Sequence, residues 1–129
     1  MENIQVPVSP GEVLDKITIL EIKSERITDP DKVANVRIEL ELLRGSWKAA
    51  IEEDEVIRDL HARLREINET LWEIEDDIRD KERAGEFDAR FIELARAVYV
   101  TNDRRSEVKK KLNLHLGSQI IEEISYQGY

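Results

Sequence analysis

Seven apolar residues, Ile57, Leu60, Leu64, Ile67, Leu71, Ile74 and Ile78, recur at spacings of 3, 4, 3, 4, 3 and 4. An average near 3.5 puts all seven on one line of an α-helix but scatters them over both faces of a strand. The segment 55–84 is therefore a helix, about 45 Å long at roughly 1.5 Å per residue. A seam of that length is unstable in water unless other helices cover it. The fold must supply those helices, or a second chain must.

The rest of the chain supplies them. Ser9-Pro10-Gly11-Glu12 is a helix start, with Ser9 as cap, Pro10 at the first helical position and Glu12 completing a capping box. Val13, Ile17, Leu20 and Ile27 then recur at helical spacing, with Ser24 as the polar member of the stripe. Thr28-Asp29-Pro30-Asp31 repeats the start signal. Val33, Val36, Leu40, Leu43 and Trp47 follow it as a second stripe, which Gly45-Ser46 weakens. Continuing that stripe would bring Asp54 onto the seam, so a turn falls near Glu52-Glu53-Asp54. Gly85 suits a helix C-terminus, and Asp88 caps a fourth helix whose inward face runs Phe91, Ala95, Val98, Asn102, Arg105, Leu112. The reading is one all-α domain over 1–129, an antiparallel bundle of about four helices at about 10–28, 30–51, 55–84 and 89–112. A short extended arm (1–9, containing Pro7) precedes it. A tail (113–129) docks through Ile120, Ile121, Ile124 and Tyr126. The long seam also predicts a homodimer.

Charge narrows the function classes. The 129 residues include 29 Asp and Glu against 20 Lys and Arg, a formal charge of −9, and no cysteine. The negative balance argues against nucleic acid or an anionic membrane as main partner. The missing cysteine excludes disulfides, thiolate metal sites and a thiol nucleophile. With no apolar run long enough to span a bilayer and no leader pattern, the expected location is the cytoplasm. The charge is uneven: 55–84 holds ten acidic and six basic side chains, whereas 104–111 holds five basic and one acidic. A hairpin of helices three and four centred near Glu86 would set Arg79 against Glu93 and Arg65 against Glu107. Such a pairing code fixes register more than it stabilises.

Chemical motifs are few. Glu73, Asp76, Asp77 and Asp80 share one helical face, an arrangement most simply read as solvated. Glu52-Glu55 and Glu73-Asp76 have the spelling of a magnesium-holding helical pyrophosphohydrolase, but about 27 Å of helix would separate the two halves. Neither His61 nor His115 follows a Glu at the di-iron spacing. No phosphate loop and no Ser-His-Asp set is present. Neither metal nor cofactor is therefore expected. Asn102 and Arg105 on a core-directed face need partners, for which Glu66, Glu69, Ser24, Thr18 and Glu21 are candidates. They form either a buried network that fixes register or the wall of a ligand site. On the second reading the ligand-binding candidates are Lys16, Thr18, Glu21, Arg96, Asn102 and Arg105, with Lys109 beside them.

The segment from Ser9 to Lys23, the run Phe87-Asp88-Ala89-Arg90-Phe91-Ile92, Asn102-Asp103-Arg104-Arg105, Gly117-Ser118 and Glu122-Glu123-Ile124-Ser125-Tyr126 together resemble a small bacterial family of uncharacterised helical proteins. The resemblance spans nearly the whole chain but implies no activity, cofactor or catalytic residue, because that family is a domain of unknown function. It directs attention to Asp15, Lys16, Thr18, Glu21 and Lys23, and to Asn102 and Arg105. Two functions follow from the sequence. One is a non-catalytic interaction or accessory module with a protein partner. The other is a small-molecule-binding bundle or enzyme acting on an anionic metabolite, in the style of a chorismate mutase. A closed pocket lined by Lys16, Arg96, Asn102 and Arg105 would favour the second.

Overall fold

The computed structural model describes residues 1–129 and contains four α-helices and no strand. Helix α1 spans Pro10–Arg26, α2 Pro30–Ala50, α3 Glu55–Ala84 and α4 Ala89–His115. Each begins on a side-chain cap that answers one or two of the orphan N–H groups of a first turn. Ser9 Oγ accepts from the Glu12 N–H at 3.2 Å, and Asp29 from those of Asp31 and Lys32. Asp54 accepts from Ile57 at 2.8 Å, and Asp88 from Phe91 at 3.0 Å. Gly85, with φ of +67°, closes α3 in the left-handed conformation, and the Glu86 N–H donates to the Lys81 carbonyl. Gly45 sits inside α2 and does not end it.

α1 is the hub. It packs against α2, α3 and α4, while α3 and α4 form a hairpin and α2 lies on α1 alone. The core joins Leu14, Ile17 and Leu20 of α1 to Leu40 and Trp47 of α2, the first half of the α3 seam, and Val108 and Leu112 of α4. Ile57, Leu60, Leu64 and Ile67 are buried within the one chain. The far half of the hairpin carries less: Ile74 and Leu94 are buried, and Phe87 meets Phe91 edge to face at 5.1 Å.

Several expectations change. The buried face of α1 is wider than its apolar stripe: Leu14 and Ile22 are buried, Val13 and Ile27 only half so. In α4 the buried line is Leu94, Thr101, Val108 and Leu112, one position away from Phe91, Ala95, Val98, Asn102 and Arg105. α4 also runs to His115, because Asn113 is buried and its Oδ1 accepts from the Gly11 N–H at 2.7 Å, which holds the last turn. The hairpin register differs too. Arg79 pairs with Glu75, Glu93 with Arg90, and Arg65 with Glu25 and Glu69. The pairs that cross are Asp77–Arg90, Lys81–Asp88 and Asp54–His115, which centre the turn a residue or two before Glu86. For Arg79 and Glu93, partners one turn away on the same helix are simply nearer than those across it, while Arg65 also turns to Glu25 on α1.

The tail docks chiefly by polar contacts, and of its expected apolar anchors only Ile121 is half-buried. Glu122 accepts from Ser9 Oγ at 2.8 Å, Glu123 from Lys110 at 3.0 Å, and Tyr129 donates to Asp103 at 2.7 Å while its ring lies against Tyr99. Ile120, Ile124 and Tyr126 stay exposed. Residues 1–8 are exposed and join no sheet.

Candidate functional site

The inner wall of α1 is built from Gly11, Asp15, Thr18 and Ile22, spaced 4, 3 and 4, all four buried. This second stripe meets α3 and α4 through polar groups. Asp15 is fully buried; its Oδ1 accepts from Asn68 Nδ2 and from Arg105 Nε, each at 2.9 Å, and its Oδ2 from Arg105 Nη2. The fork of one guanidinium thus meets both oxygens of one carboxylate. Asn68 spends its second N–H on Thr18 Oγ1 at 2.8 Å, and Thr18 donates to the Asp15 carbonyl at 2.7 Å. Lys109 reaches Glu12 at 2.6 Å, Glu122 at 3.6 Å and Asp15 at 3.8 Å. No buried side-chain polar atom is left without a partner. The Asp15 carboxylate, together with those of Glu12 and Glu122, holds Arg105 protonated above its ordinary range, although burial opposes this.

A second network lies on the other flank of α1. Glu21 accepts from His61 at 3.0 Å and lies 3.3 Å from Arg44 and 3.8 Å from Arg65. Burial pushes the Glu21 carboxyl up, but His61, Arg65 and Arg44 outweigh it and leave the group below the usual carboxylate range.

Above Asp15 an open cleft of about 490 Å³ runs between α1, α3 and α4. Ile19, Ile22, Leu71 and Trp72 give it apolar walls; Lys23, Arg79, Arg105, Glu75, Asp76 and Asn102 supply its polar lining. Asn102 and Arg105 also border a second space, about 480 Å³, beneath the tail.

The six candidate residues are not brought together. Asn102 and Arg105 share the cleft, and Thr18 lies under it as a buried structural link to Asn68. Glu21 belongs to the His61 network, while Lys16 and Arg96 are exposed and line neither space. Arg105 takes Asp15 as its partner rather than Glu66, Glu69 or Ser24. His61 and His115 pair separately, with Glu21 and Asp54. On the acidic face of α3, Glu73, Asp77 and Asp80 are spoken for by Arg26, Arg90 and Arg83, and no three metal-ligating side chains converge. Asn68 and Asn113 escaped the sequence reading, and Asp15 was marked only by resemblance; the 4, 3, 4 spacing of Gly11, Asp15, Thr18 and Ile22 was the available signal.

No helix is long and apolar enough to cross a membrane. Neither a curated protein nor a solved structure matches the chain. A family model does match it over residues 4–129, nearly its full length, and on that match the chain belongs to the family of unknown function DUF6165.

Proposed function

We propose that the chain is a non-catalytic interaction module, and that the cleft between α1, α3 and α4 receives an apolar side chain of a partner protein. The observation that carries this is the state of the ionisable groups below the cleft. Asp15 has both oxygens engaged by Arg105 and Asn68 and is shut off from water, so it is not free to move a proton, and the Nε and Nη2 of Arg105 are committed to it. What faces outward is an apolar trough, Ile19, Ile22, Leu71 and Trp72, edged by charges of both signs. Buried aromatic and aliphatic anchors in a charged rim are the usual anatomy of a protein-binding patch.

The test places a photo-crosslinking amino acid at Trp72 in the full chain. The expected result is one discrete protein adduct that disappears when Ile19→Glu puts a charge in the trough. No adduct, or an adduct indifferent to Ile19→Glu, overturns the reading.

One observation favours the alternative, a bundle that binds a small anionic metabolite: the Arg105 side chain is 29% exposed and shares the cleft with Lys23. A ligand specific to the native state raises the melting temperature by mass action. On the alternative, an anionic metabolite gives a saturable rise that Lys23→Ala abolishes. On the main reading a screen of metabolites, metals and nucleotides leaves the melting temperature unchanged.

A further inference from the structure

The tail crosses the outer face of α4 and, beyond Ser118, none of its backbone groups bonds to another backbone group. Side chains hold it. Glu122 meets Ser9 at 2.8 Å and Lys109 at 3.6 Å, Glu123 meets Lys110 at 3.0 Å, and Tyr129 closes on Asp103 and Tyr99, so the tail runs antiparallel to the helix. Its seat is the line Tyr99, Asp103, Ser106 and Lys110, spaced 4, 3 and 4 along one face of α4. The tail fills this seat poorly. Ile124 and Tyr126 are 50% and 83% exposed, and a space of about 480 Å³ remains between them and Val98, Asn102 and Arg105. The charges do not balance either. Of the five cations in 104–111, Arg105 is committed to Asp15, Lys109 and Lys110 take the two tail carboxylates, and Arg104 and Lys111 have no acidic partner.

We propose that this face of α4 is a docking groove for an extended, acidic segment of a partner protein, and that the tail is a strap which occupies the groove until that segment displaces it. Exposed ion pairs contribute little individually and are weakened by salt, so the strap lifts without unfolding a helix. Its tether nevertheless gives it an effective concentration on the order of millimolar at the seat. The same sequence on a second copy, at micromolar concentration, does not displace it. An occupant must bring what the strap lacks, which is a third carboxylate and side chains that fill the space under Ile124 and Tyr126. The run of the tail says where that carboxylate belongs. Ser118 lies at Asn113 and Glu122 at Lys109, which puts Ile120 at the level of Lys111. The matching segment therefore carries acidic residues at the places of Ile120, Glu122 and Glu123, and an aromatic one at the place of Tyr129. The groove lies across Asn102 and Arg105 from the cleft, and a peptide reads it whereas Trp72 reads the cleft, so either proposal can fail without the other.

The probe is a fluorescein-labelled peptide with the sequence of residues 117–129, titrated by anisotropy against full-length chains. Glu122→Lys with Glu123→Lys in the chain repels the strap from Lys109 and Lys110 and leaves the seat intact. This released chain is expected to take the peptide about tenfold or more tightly than the wild type, whose strap competes. Tyr129→Ala frees only the far end and gives a smaller gain. Ser106→Cys with Ser125→Cys, joined by a bismaleimide, ties the strap down and removes binding; both serines line the groove, and the chain has no cysteine of its own. On the released chain a peptide with Glu122→Gln and Glu123→Gln binds about tenfold more weakly, and one with Ile120→Glu binds more tightly. A released chain that takes no peptide overturns the proposal. So do equal binding by the released and bridged chains, indifference to the two peptide carboxylates, and an Ile120→Glu peptide that gains nothing.

Discussion

Gly11 and Gly45 have the same side chain and opposite surroundings. A Cβ on Gly11 would lie 2.6 Å from the Lys109 carbonyl oxygen and 2.9 Å from Asn113 Oδ1; a Cβ on Gly45 would touch nothing. Gly11→Ala must therefore push α1 off α4, against backbone that cannot yield, and should cost about 2–3 kcal/mol in chemical denaturation. Asp15 and Arg105 form a similarly asymmetric pair. Arg105 has access to water, whereas Asp15 has none. Arg105→Ala leaves a buried carboxylate with Asn68 and a distant Lys109, and should cost about 3 kcal/mol or more. An Asp15→Asn change added to Arg105→Ala should recover part of that loss, because it removes the stranded charge. Denaturation midpoints of the three variants decide the point, and an additive double mutant would refute it.

At the scale of elements, the helix starts were the plainest part of the sequence. Ser9, Asp29 and Asp88 each read as a cap ahead of a helical stripe, and each accepts from the first turn as its chemistry requires; Asp54, legible only as part of a turn, does the same for α3. Asp54→Ala removes the acceptor of the Ile57 N–H and the partner of His115, and should lower the denaturation midpoint. A loss indistinguishable from zero in the same denaturation assay would mean that the cap is replaced by solvent. The α3 seam was equally legible, since Ile, Leu and a strict period leave no other reading. The wall around Asp15 was not. Counting apolar residues cannot see a buried stripe whose members are Gly, Asp and Thr, although its period is helical. The partner of Arg105 was missed for a related reason. A sequence shows which residues share a helix face, whereas the crossing of α1 over the hairpin, which brings Asp15 between Asn68 and Arg105, is a property of three helices together.

Across the whole molecule stability is uneven. The core lies where α1 crosses the first half of α3 and the second half of α4, and the hairpin tip holds only Ile74, Leu94 and a pair of phenylalanines. Amides from about Ile78 to Arg90 should exchange through local opening at lower free energy than those of Leu64 or Leu112, as hydrogen exchange would read directly. Acid should act globally. Folding leaves Glu21, Asp54 and Asp88 below their ordinary carboxylate values of 4.5, 3.8 and 3.8: Glu21 by His61 and the two arginines against burial, Asp54 by the Ile57 N–H and His115, Asp88 by Lys81 and the Phe91 N–H. Depressed folded values mean stability that is fully present above those ordinary values and lost as pH falls through the lower folded ones. Melting temperature should hold down to about pH 5 and then decline. Glu21→Gln should soften that decline, and an unchanged slope would remove Glu21 from the account.

The bonds that fasten α1 to α4 join residues far apart in the chain: Asp15 to Arg105 across 90 positions, Glu12 to Lys109 across 97, Gly11 to Asn113 across 102. A ribosome delivers α1 early and its anchors late. Until those anchors emerge, a helix carrying a carboxylate meant for burial has α2 and α3 beside it but not its cationic partner. The hub of the fold is thus the first helix made and the last one secured, and a growing chain paused before Arg105 holds every helix but the one that locks it.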